Sequence, residues 1–274
     1  MQSPPQSQRS LLVEAMNFVA LLYHTVVREV REESGNATLG LLTAIGRVLI
    51  LVALFYAMFE LLGLRGAMIR GDVILFLVGG VLLFLMHNQA IGAVIKAGSA
   101  TSPIMQHAPV TPTLMILSSA LATLYLHILA TVIILAALIL FRGDLEIHSP
   151  RGILLPFFLA WASGVVIGLL FLAMKPFAPK LMQMLSTIYR RANMITSGKF
   201  FVANMLPNAI LPFFDWNPLF HTIDQMRGAL FVNYFPHKTS IEYPVYFVLV
   251  GLLVGMMAEF WLRRTVSRST GAAR

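Results

Sequence analysis

The chain lacks cysteine altogether and is poor in charged residues. Without cysteine, disulfides, thiolate catalysis and cysteine-ligated metals are excluded. Only 12% of the 274 residues are Asp, Glu, Lys or Arg, and this is about half the share found in an average soluble domain. Hydrophobic residues make up 58% of the chain, and the mean hydropathy is +0.78. This composition predicts an all-α integral membrane protein, because several apolar runs reach the roughly 20 residues that a spanning helix needs.

The chain also lacks the motifs of nucleotide hydrolysis and of metal catalysis. A phosphate-binding loop needs G-x-x-x-x-G-K-[ST], but the only Gly-Lys pair, Gly198-Lys199, is followed by Phe200, and position 193 is asparagine. No two of the seven histidines have the i, i+4 spacing of a helical metal pair. The apolar runs contain no paired carboxylates, so an ion-coupled transporter is disfavoured. We therefore expect no catalytic residue, no metal site and no cofactor within this chain.

Six apolar segments are candidate transmembrane helices. Each is long enough to cross the hydrocarbon core at 1.5 Å per residue. The fifth is the least apolar, because it contains two arginines and a lysine. The predicted spans cover residues 41–63, 72–95, 114–141, 153–174, 181–206 and 243–262.

The distribution of lysine and arginine predicts the orientation of the chain. With the N-terminus in the cytoplasm, ten basic residues fall on the cytoplasmic side and five outside, as the positive-inside rule requires. Both termini are then cytoplasmic. This topology accounts for the excess of basic residues, which gives the chain a formal net charge of +8. Nucleic acid is not expected as a partner, because the basic residues do not form a groove-binding patch.

An amphipathic segment precedes the first span. Residues 1–10 form a polar tail that is not typical of a signal peptide. On a helix, residues 11–33 place Arg28, Arg31 and Glu32 within a polar arc of about 120°, with valines on the opposite face. This pattern favours an interfacial helix over residues 11–35, lying flat with its charged side toward the cytosol. A helix packed on other protein is the alternative. The six-span transmembrane domain would occupy residues 36–274.

The loop at residues 96–113, between spans two and three, is the second cytoplasmic feature. Three prolines rule out one long helix there. A simple connector and a short helix that docks on a soluble partner are both open. The docking candidate comprises Pro103, Ile104, Met105, Gln106, His107 and Ala108.

Span five carries most of the polar residues at membrane depth. Its cations are too costly to face lipid. The arginines either line a watery path or lie in a cytoplasmic vestibule near an ion-pair partner. Four other side chains share one helical stripe and offer the rings, hydroxyls and amide that can bind sugars. The candidate translocation-path residues are Tyr189, Arg190, Arg191, Asn193, Thr196, Lys199 and Phe200.

Two further patterns in the spans concern helix packing. His87 begins a polar cluster in span two, for which interhelical hydrogen bonding is favoured over substrate contact. The small-xxx-small pairs Gly164/Gly168 and Gly251/Gly255 predict close helix approach within the chain.

Residues 207–235 are too polar to span a bilayer and too apolar to form a free loop. Prolines interrupt the segment three times, either Asp215 or Asn217 can be the N-cap of a new helix, and Pro218 suits its first turn. An apolar stripe then predicts a short helix at 219–231: Leu219, Ile223, Met226 and Leu230. We expect re-entrant external helices here, shielded from lipid by neighbouring protein.

Three stretches together carry a resemblance to a known family. NPLFHTIDQMRGALF at 217–231 is similar to an N-P-[LF]-x-H-x-[IV]-x-x-x-R element, VVREVREESGNATLGLLTAI at 26–45 to an interfacial junction, and SATSPIMQHAPVTPTLMILSSAL at 99–121 to a proline-rich loop. The chain thus resembles the type-two ATP-binding-cassette permeases, and most closely the branch that exports capsular polysaccharide, O-antigen or teichoic acid. It departs from them in its basic fifth span and at the start of span one, where Thr43 and Arg47 replace the usual Trp and Pro.

The resemblance implies a homodimer in the bacterial inner membrane, each subunit paired with a separate cytoplasmic ATP-binding subunit that holds ATP and Mg. It implies export of a lipid-linked polysaccharide, with a periplasmic adaptor and an outer-membrane export protein as further partners. A small amphiphile, drug or lipid is the alternative substrate. Arg28, Arg31, Glu32 and residues 103–108 would contact the ATPase. The external gate helix would contain Asn217, Pro218, His221 and Arg227.

Overall fold

The computed structural model describes residues 11–32, 36–63, 71–97, 111–143 and 147–271. These residues form helices joined by turns, with no strand in the described ranges. The helices are α1 Leu11–Glu32, α2 Ala37–Leu61, α3 Val73–Ala97, α4 Pro112–Arg142, α5 Pro150–Met174, α6 Pro179–Thr196, α7 Pro212–Asp215, α8 Pro218–Leu230 and α9 Glu242–Gly271. The predicted all-α class is confirmed.

Three helix starts follow directly from local sequence. Thr111 caps α4 by accepting from the backbone N–H of Leu114, and Ser149 caps α5 by accepting from that of Gly152. Asn217 caps α8 by accepting from the N–H of Leu219. In each case proline follows the cap, where its missing N–H is no loss. Of the two predicted candidates, Asp215 and Asn217, the cap of α8 is therefore Asn217.

Four helices are long and apolar enough to cross a membrane: Thr38–Leu61, Val73–Ala97, Pro112–Phe141 and Pro150–Met174. They agree with the first four predicted spans, and the chain is a multi-pass membrane protein. The last helix, α9, has a shorter apolar stretch over Glu242–Ala258.

The predicted fifth span is not one continuous helix. Helix α6 ends at Thr196, and Gly198 has a φ of +69°, a left-handed conformation that suits glycine. A turn and a short 3₁₀ helix, Ala203–Met205, follow. Helix α6 is amphipathic and carries three cations, so it lacks the hydropathy of a spanning helix.

Helix α3 is the centre of the bundle, and α5 packs closely against it. A Cβ atom added at Gly164 would lie 2.5 Å from the carbonyl oxygen of His87, and one at Gly168 would lie 3.0 Å from that of Ile91. The backbones can approach this closely because neither glycine carries a side chain. The predicted packing role of this glycine pair is confirmed.

The second glycine pair lies between α5 and α9. Gly251 faces the side chain of Val166, and Gly255 faces that of Leu169, where an added Cβ would lie 2.6 Å away. This pair also packs within the chain, as predicted.

Helix α8 is embedded in the bundle. Its predicted apolar stripe belongs to the main hydrophobic core. The C-terminal end of α8 is tied to the start of α5, because the backbone N–H groups of His148 and Ser149 donate to the carbonyls of Leu230 and Ala229. Burial in protein shields α8 as the sequence analysis required.

Helix α1 packs on α4 by its C-terminal half only. Val30 forms a small cluster with Ala122 and Leu126. Apolar side chains of the first half are exposed, including Met16 at 71% and Tyr23 at 65%. The helix is confirmed, and its position at a membrane surface stays a prediction.

Candidate translocation and coupling site

The polar stripe of α6 faces α3 at Tyr189, which lies next to His87 of α3. His87 of α3 is fully buried, and its Nδ1 lies 2.9 Å from the carbonyl oxygen of Ala160 and 3.1 Å from Ser163 Oγ. Since a carbonyl can only accept, Nδ1 carries the proton, and Nε2 can accept from the hydroxyl of Tyr189 at 3.3 Å. The favoured interhelical role of His87 is confirmed, and it joins α3, α5 and α6.

Three asparagines form a ladder between α3, α6 and α8. Asn193 donates to the side-chain oxygen of Asn88 at 3.5 Å and accepts from the amide of Asn217 at 2.8 Å. The same amide of Asn217 donates to Thr196 Oγ1 at 3.0 Å. Asn193 and Asn217 are completely buried. Two predicted path residues and one predicted gate residue are therefore brought together, but inside the protein rather than on an open sugar-binding face.

The aromatic members of the stripe have different surroundings. Tyr189 is half-buried and lies beside Trp216, at 6.3 Å between ring centroids, and beside Phe171 at 6.2 Å. Trp216 is 48% exposed. Phe200 packs against Phe55 of α2 at 4.0 Å. The group around Tyr189 is the accessible aromatic surface next to α6.

The three cations of the predicted path separate. Lys199 is fully buried, donates to the carbonyl of Met194 at 2.7 Å and lies over the ring of Phe84 at 3.6 Å. Its charge is thereby balanced by a carbonyl dipole and an aromatic face. Arg191 is exposed, and Arg190 is half-buried beside Gly92 of α3.

Two adjoining cavities surround Arg190. One has a volume of about 400 Å³ and is lined among others by Glu29, Arg47 and Lys96. The other has a volume of about 290 Å³ and is lined among others by Lys96 and Lys175. Gly92, Lys96 and Arg190 line both. The positive charges at the end of α3 thus border open space.

The predicted gate residues are held within α8. His221 Nε2 lies 2.8 Å from the carbonyl oxygen and 3.0 Å from Oδ1 of Asp215, and its Nδ1 accepts from the N–H of Ser240 at 3.1 Å. Arg227 is buried over the ring of Phe76. It donates to the carbonyls of Phe201 and Lys199, and so fastens α8 to the turn after α6. Pro218 is buried at the first turn.

Asp224 is a structural centre that the sequence analysis did not single out. It is 1% exposed and accepts from the hydroxyl of Tyr234 at 2.6 Å, from that of Thr239 at 2.8 Å and from the N–H of Ala203 at 3.2 Å. These partners come from the loops on both sides of α8. Asp224 is the one carboxylate in α8, and this was the available signal, but its partners have no recognisable spacing.

The two arginines predicted to contact the ATPase differ in exposure. Arg28 is half-buried and its guanidinium contacts the sulfur of Met115 at 3.5 Å, next to a pair in which Ser119 donates to Glu29 at 2.9 Å. Arg31 is exposed. Arg31 is therefore available to a partner, whereas Arg28 faces α4. Glu32 ends α1, and Pro103 to Ala108 lie outside the described residues.

Comparison with known proteins gives two curated relatives. No family model matches the chain. Two proteins of Escherichia coli, each named "Polysialic acid transport protein KpsM", are 26% and 25% identical to it over 236 residues. The matched region covers 84% of this chain and 88% of each relative. The likeness extends over most of both molecules, agrees with the sequence motifs and the helical membrane fold, and supports a type-two ATP-binding-cassette permease for polysaccharide export.

Proposed function

We propose that this permease exports a lipid-linked polysaccharide across the bacterial inner membrane, driven by a separate ATP-binding subunit. The observation that carries the proposal is the likeness to two polysialic acid transport proteins along 84% of the chain. A small amphiphile as substrate has no comparable support. Neither relative bears such a name, and a polymer path agrees better with the broad apolar and aromatic surfaces of α2 and α6.

A homodimer would build the path from two copies of these surfaces. The outward side of α2 is apolar and exposed, with Leu42, Ile50 and Leu54 each more than half exposed. Helix α6 exposes Met184 and Ile188, with the aromatic surface of Tyr189 and Trp216 beside them. A polymer between two such faces would meet rings on which sugars stack, while Arg191 and Phe200 border the same helix.

Coupling to the ATPase is assigned to the end of α1 and to residues 96–113. Arg31 supplies an exposed charge next to Glu32. Val30 and Arg28 pack on α4, so a movement of α1 would be transmitted to the bundle. Nucleotide and Mg would be bound entirely by the partner, since this chain has no phosphate-binding loop.

Helices α7 and α8 are assigned as the external gate. The end of α8 meets the starts of α3 and α5, at the end of the bundle opposite the start of α6. With α1 in the cytoplasm, that end is periplasmic, and residues 207–235 return into the bundle without crossing it. Asn217 holds the gate to α6, the second wall of the proposed path, and Arg227 holds it to the turn that follows α6.

The absence of cysteine offers a direct test of this orientation. Single cysteines at Glu14 and at the exposed Phe213 would each be the only thiol in the protein. A membrane-impermeant maleimide should label Phe213→Cys in intact spheroplasts and Glu14→Cys only after permeabilisation. Labelling of Glu14→Cys from the outside would overturn the assignment of α1 to ATPase coupling.

The transport function itself is tested by deletion. Cells without the gene should accumulate the glycan in the cytoplasm and lose it from the surface, and the wild-type gene should restore it. A strain with a hydrolysis-deficient partner ATPase serves as the matched control and should show the same accumulation. Unchanged surface glycan in the deletion strain would reject the proposal.

A further inference from the structure

The two cavities beside Arg190 have a charge composition that calls for an anionic ligand. Four cations line them: Arg47 from α2, Lys96 from α3, Arg190 from α6 and Lys175 from the link between α5 and α6. Glu29 is the one described carboxylate at their walls, and it already accepts from Ser119 at 2.9 Å and faces Arg28 at 3.9 Å.

Arg190 occupies the boundary between the two cavities. Its Nε is buried and has no hydrogen-bond partner among the described residues. A guanidinium normally uses its donors on carboxylates, phosphates or carbonyls. The described residues therefore leave this donor without an acceptor, and an anionic ligand in the adjoining cavities would supply acceptors to the same guanidinium.

The depth of the site indicates how the ligand arrives. Gly92, which borders both cavities, lies five residues before the end of α3, or about 7 Å inside that end at 1.5 Å per residue. A position this close to the end of a spanning helix is within reach of lipid headgroups. Ile95, Phe171 and Met182 line the second cavity together with Arg190, and they provide an apolar surface along which an acyl or prenyl chain can lie.

We propose that these cavities bind the phosphoryl group of the lipid that carries the polysaccharide, before the polymer enters the path. This inference rests on the proposed function and specifies the part of the substrate that is recognised first. The carrier is either a polyprenyl phosphate or a phosphoglycerolipid, which share the same anionic group. Arg190 and Lys96 make the central contacts because they line both cavities, and Arg47 and Lys175 flank them.

Lipid binding to the purified full-length protein provides the test. Native mass spectrometry measures the apparent Kd of four probes: undecaprenyl phosphate, undecaprenol, phosphatidic acid and diacylglycerol. At least one phosphorylated probe should bind about tenfold more tightly than its neutral counterpart. Whichever phosphorylated probe binds more tightly identifies the class of carrier, and either result supports the site.

Variants locate the binding on the protein. Arg190→Gln combined with Lys96→Gln should weaken the phosphorylated probe about tenfold. Lys180→Gln removes the same charge from an exposed position on the first turn of α6, outside both cavities, and should leave the Kd unchanged. If the double variant does not fold, Lys96→Gln alone, which alters an exposed side chain, provides the measurement.

Two results would overturn the inference. One is equal affinity for phosphorylated and neutral probes, and the other is an equal loss in Lys180→Gln and in the Arg190 variant. Either would leave the proposed function intact, because that stands on glycan accumulation in the deletion strain. Normal glycan at the surface of the deletion strain would instead reject the function, whatever the lipid measurements give.

Discussion

The side-chain amide of Asn217, at the start of α8, lies 2.8 Å from the side-chain oxygen of Asn193 in α6. This bond connects the helix proposed as the external gate with the helix proposed to line the path. Asn193 in turn reaches Asn88 of α3, so the position of the gate is coupled to the centre of the bundle through amide groups alone.

A double-mutant cycle should measure this coupling. Asn193→Ala, Asn217→Ala and the double variant should give an interaction free energy of about 1 kcal/mol, because either single change leaves a buried amide without its partner. Thermal unfolding in detergent provides the measurement. Asn217→Ala combined with Thr187→Ala, whose hydroxyl bonds only within α6, is the matched control and should be additive. Additivity in the first cycle as well would contradict the ladder.

Removal of the Asp224 carboxylate should destabilise the protein more than any other acidic substitution in the segment. Asp224→Ala leaves the hydroxyls of Tyr234 and Thr239 and the N–H of Ala203 without their acceptor, a cost of about 3 kcal/mol or more in unfolding free energy. Asp215→Ala is the control, since that side chain is 51% exposed and should cost less than about 1 kcal/mol. Equal melting temperatures for the two variants would show that Asp224 is not the centre described here.

A methyl group at Gly164 should separate α3 from α5. Gly164→Ala places a Cβ 2.5 Å from the carbonyl oxygen of His87, and because backbone cannot move aside like a side chain, we expect a loss of about 1–3 kcal/mol. Gly46→Ala in α2 meets no atom within 4 Å and should be neutral or stabilising, since alanine favours helix. Detergent melting curves compare the two variants, and similar curves would contradict the close packing.

Charge reversal at Arg31 should uncouple the ATPase without unfolding the permease. Arg31→Glu places a negative charge at the proposed contact and should lower permease-dependent ATP hydrolysis about fivefold, equivalent to about 1 kcal/mol. Hydrolysis by the reconstituted complex is the measured quantity. His24→Glu, at an exposed position of α1, is the control and should hydrolyse normally.

Arg28→Glu should behave differently from Arg31→Glu. Arg28 faces Met115 of α4, so its reversal should lower the melting temperature of the permease as well as its coupling. A loss of coupling in His24→Glu as large as in Arg31→Glu would show that hydrolysis responds to any charge on α1, and the specific role of Arg31 would be rejected.

Local sequence was sufficient to predict the features that depend on residues close together in the chain. The cap and proline at Asn217 and Pro218, the apolar stripe of α8 and the glycine pairs of α5 and α9 were all predicted and found, because each depends on residues one to four positions apart. The fifth span was predicted as a single helix across residues 181–206, since hydrophobicity averaged over that length hides the break at Gly198. The partners of Asp224 were not predicted, because they lie 10, 15 and 21 residues away in loops without a repeating pattern.

By itself, the sequence determined that this protein resides in a membrane and where the proline-led helix α8 begins, since transfer of apolar side chains from water and local backbone hydrogen bonding depend on composition and spacing. Only the tertiary structure decided which polar residues are buried in hydrogen bonds within the protein and which stay accessible to a ligand or partner. Asn193, Lys199 and Arg227 are buried among partners from other helices, whereas Arg190 and Arg31 border open space. Burial depends on how distant segments pack, and no local pattern specifies it.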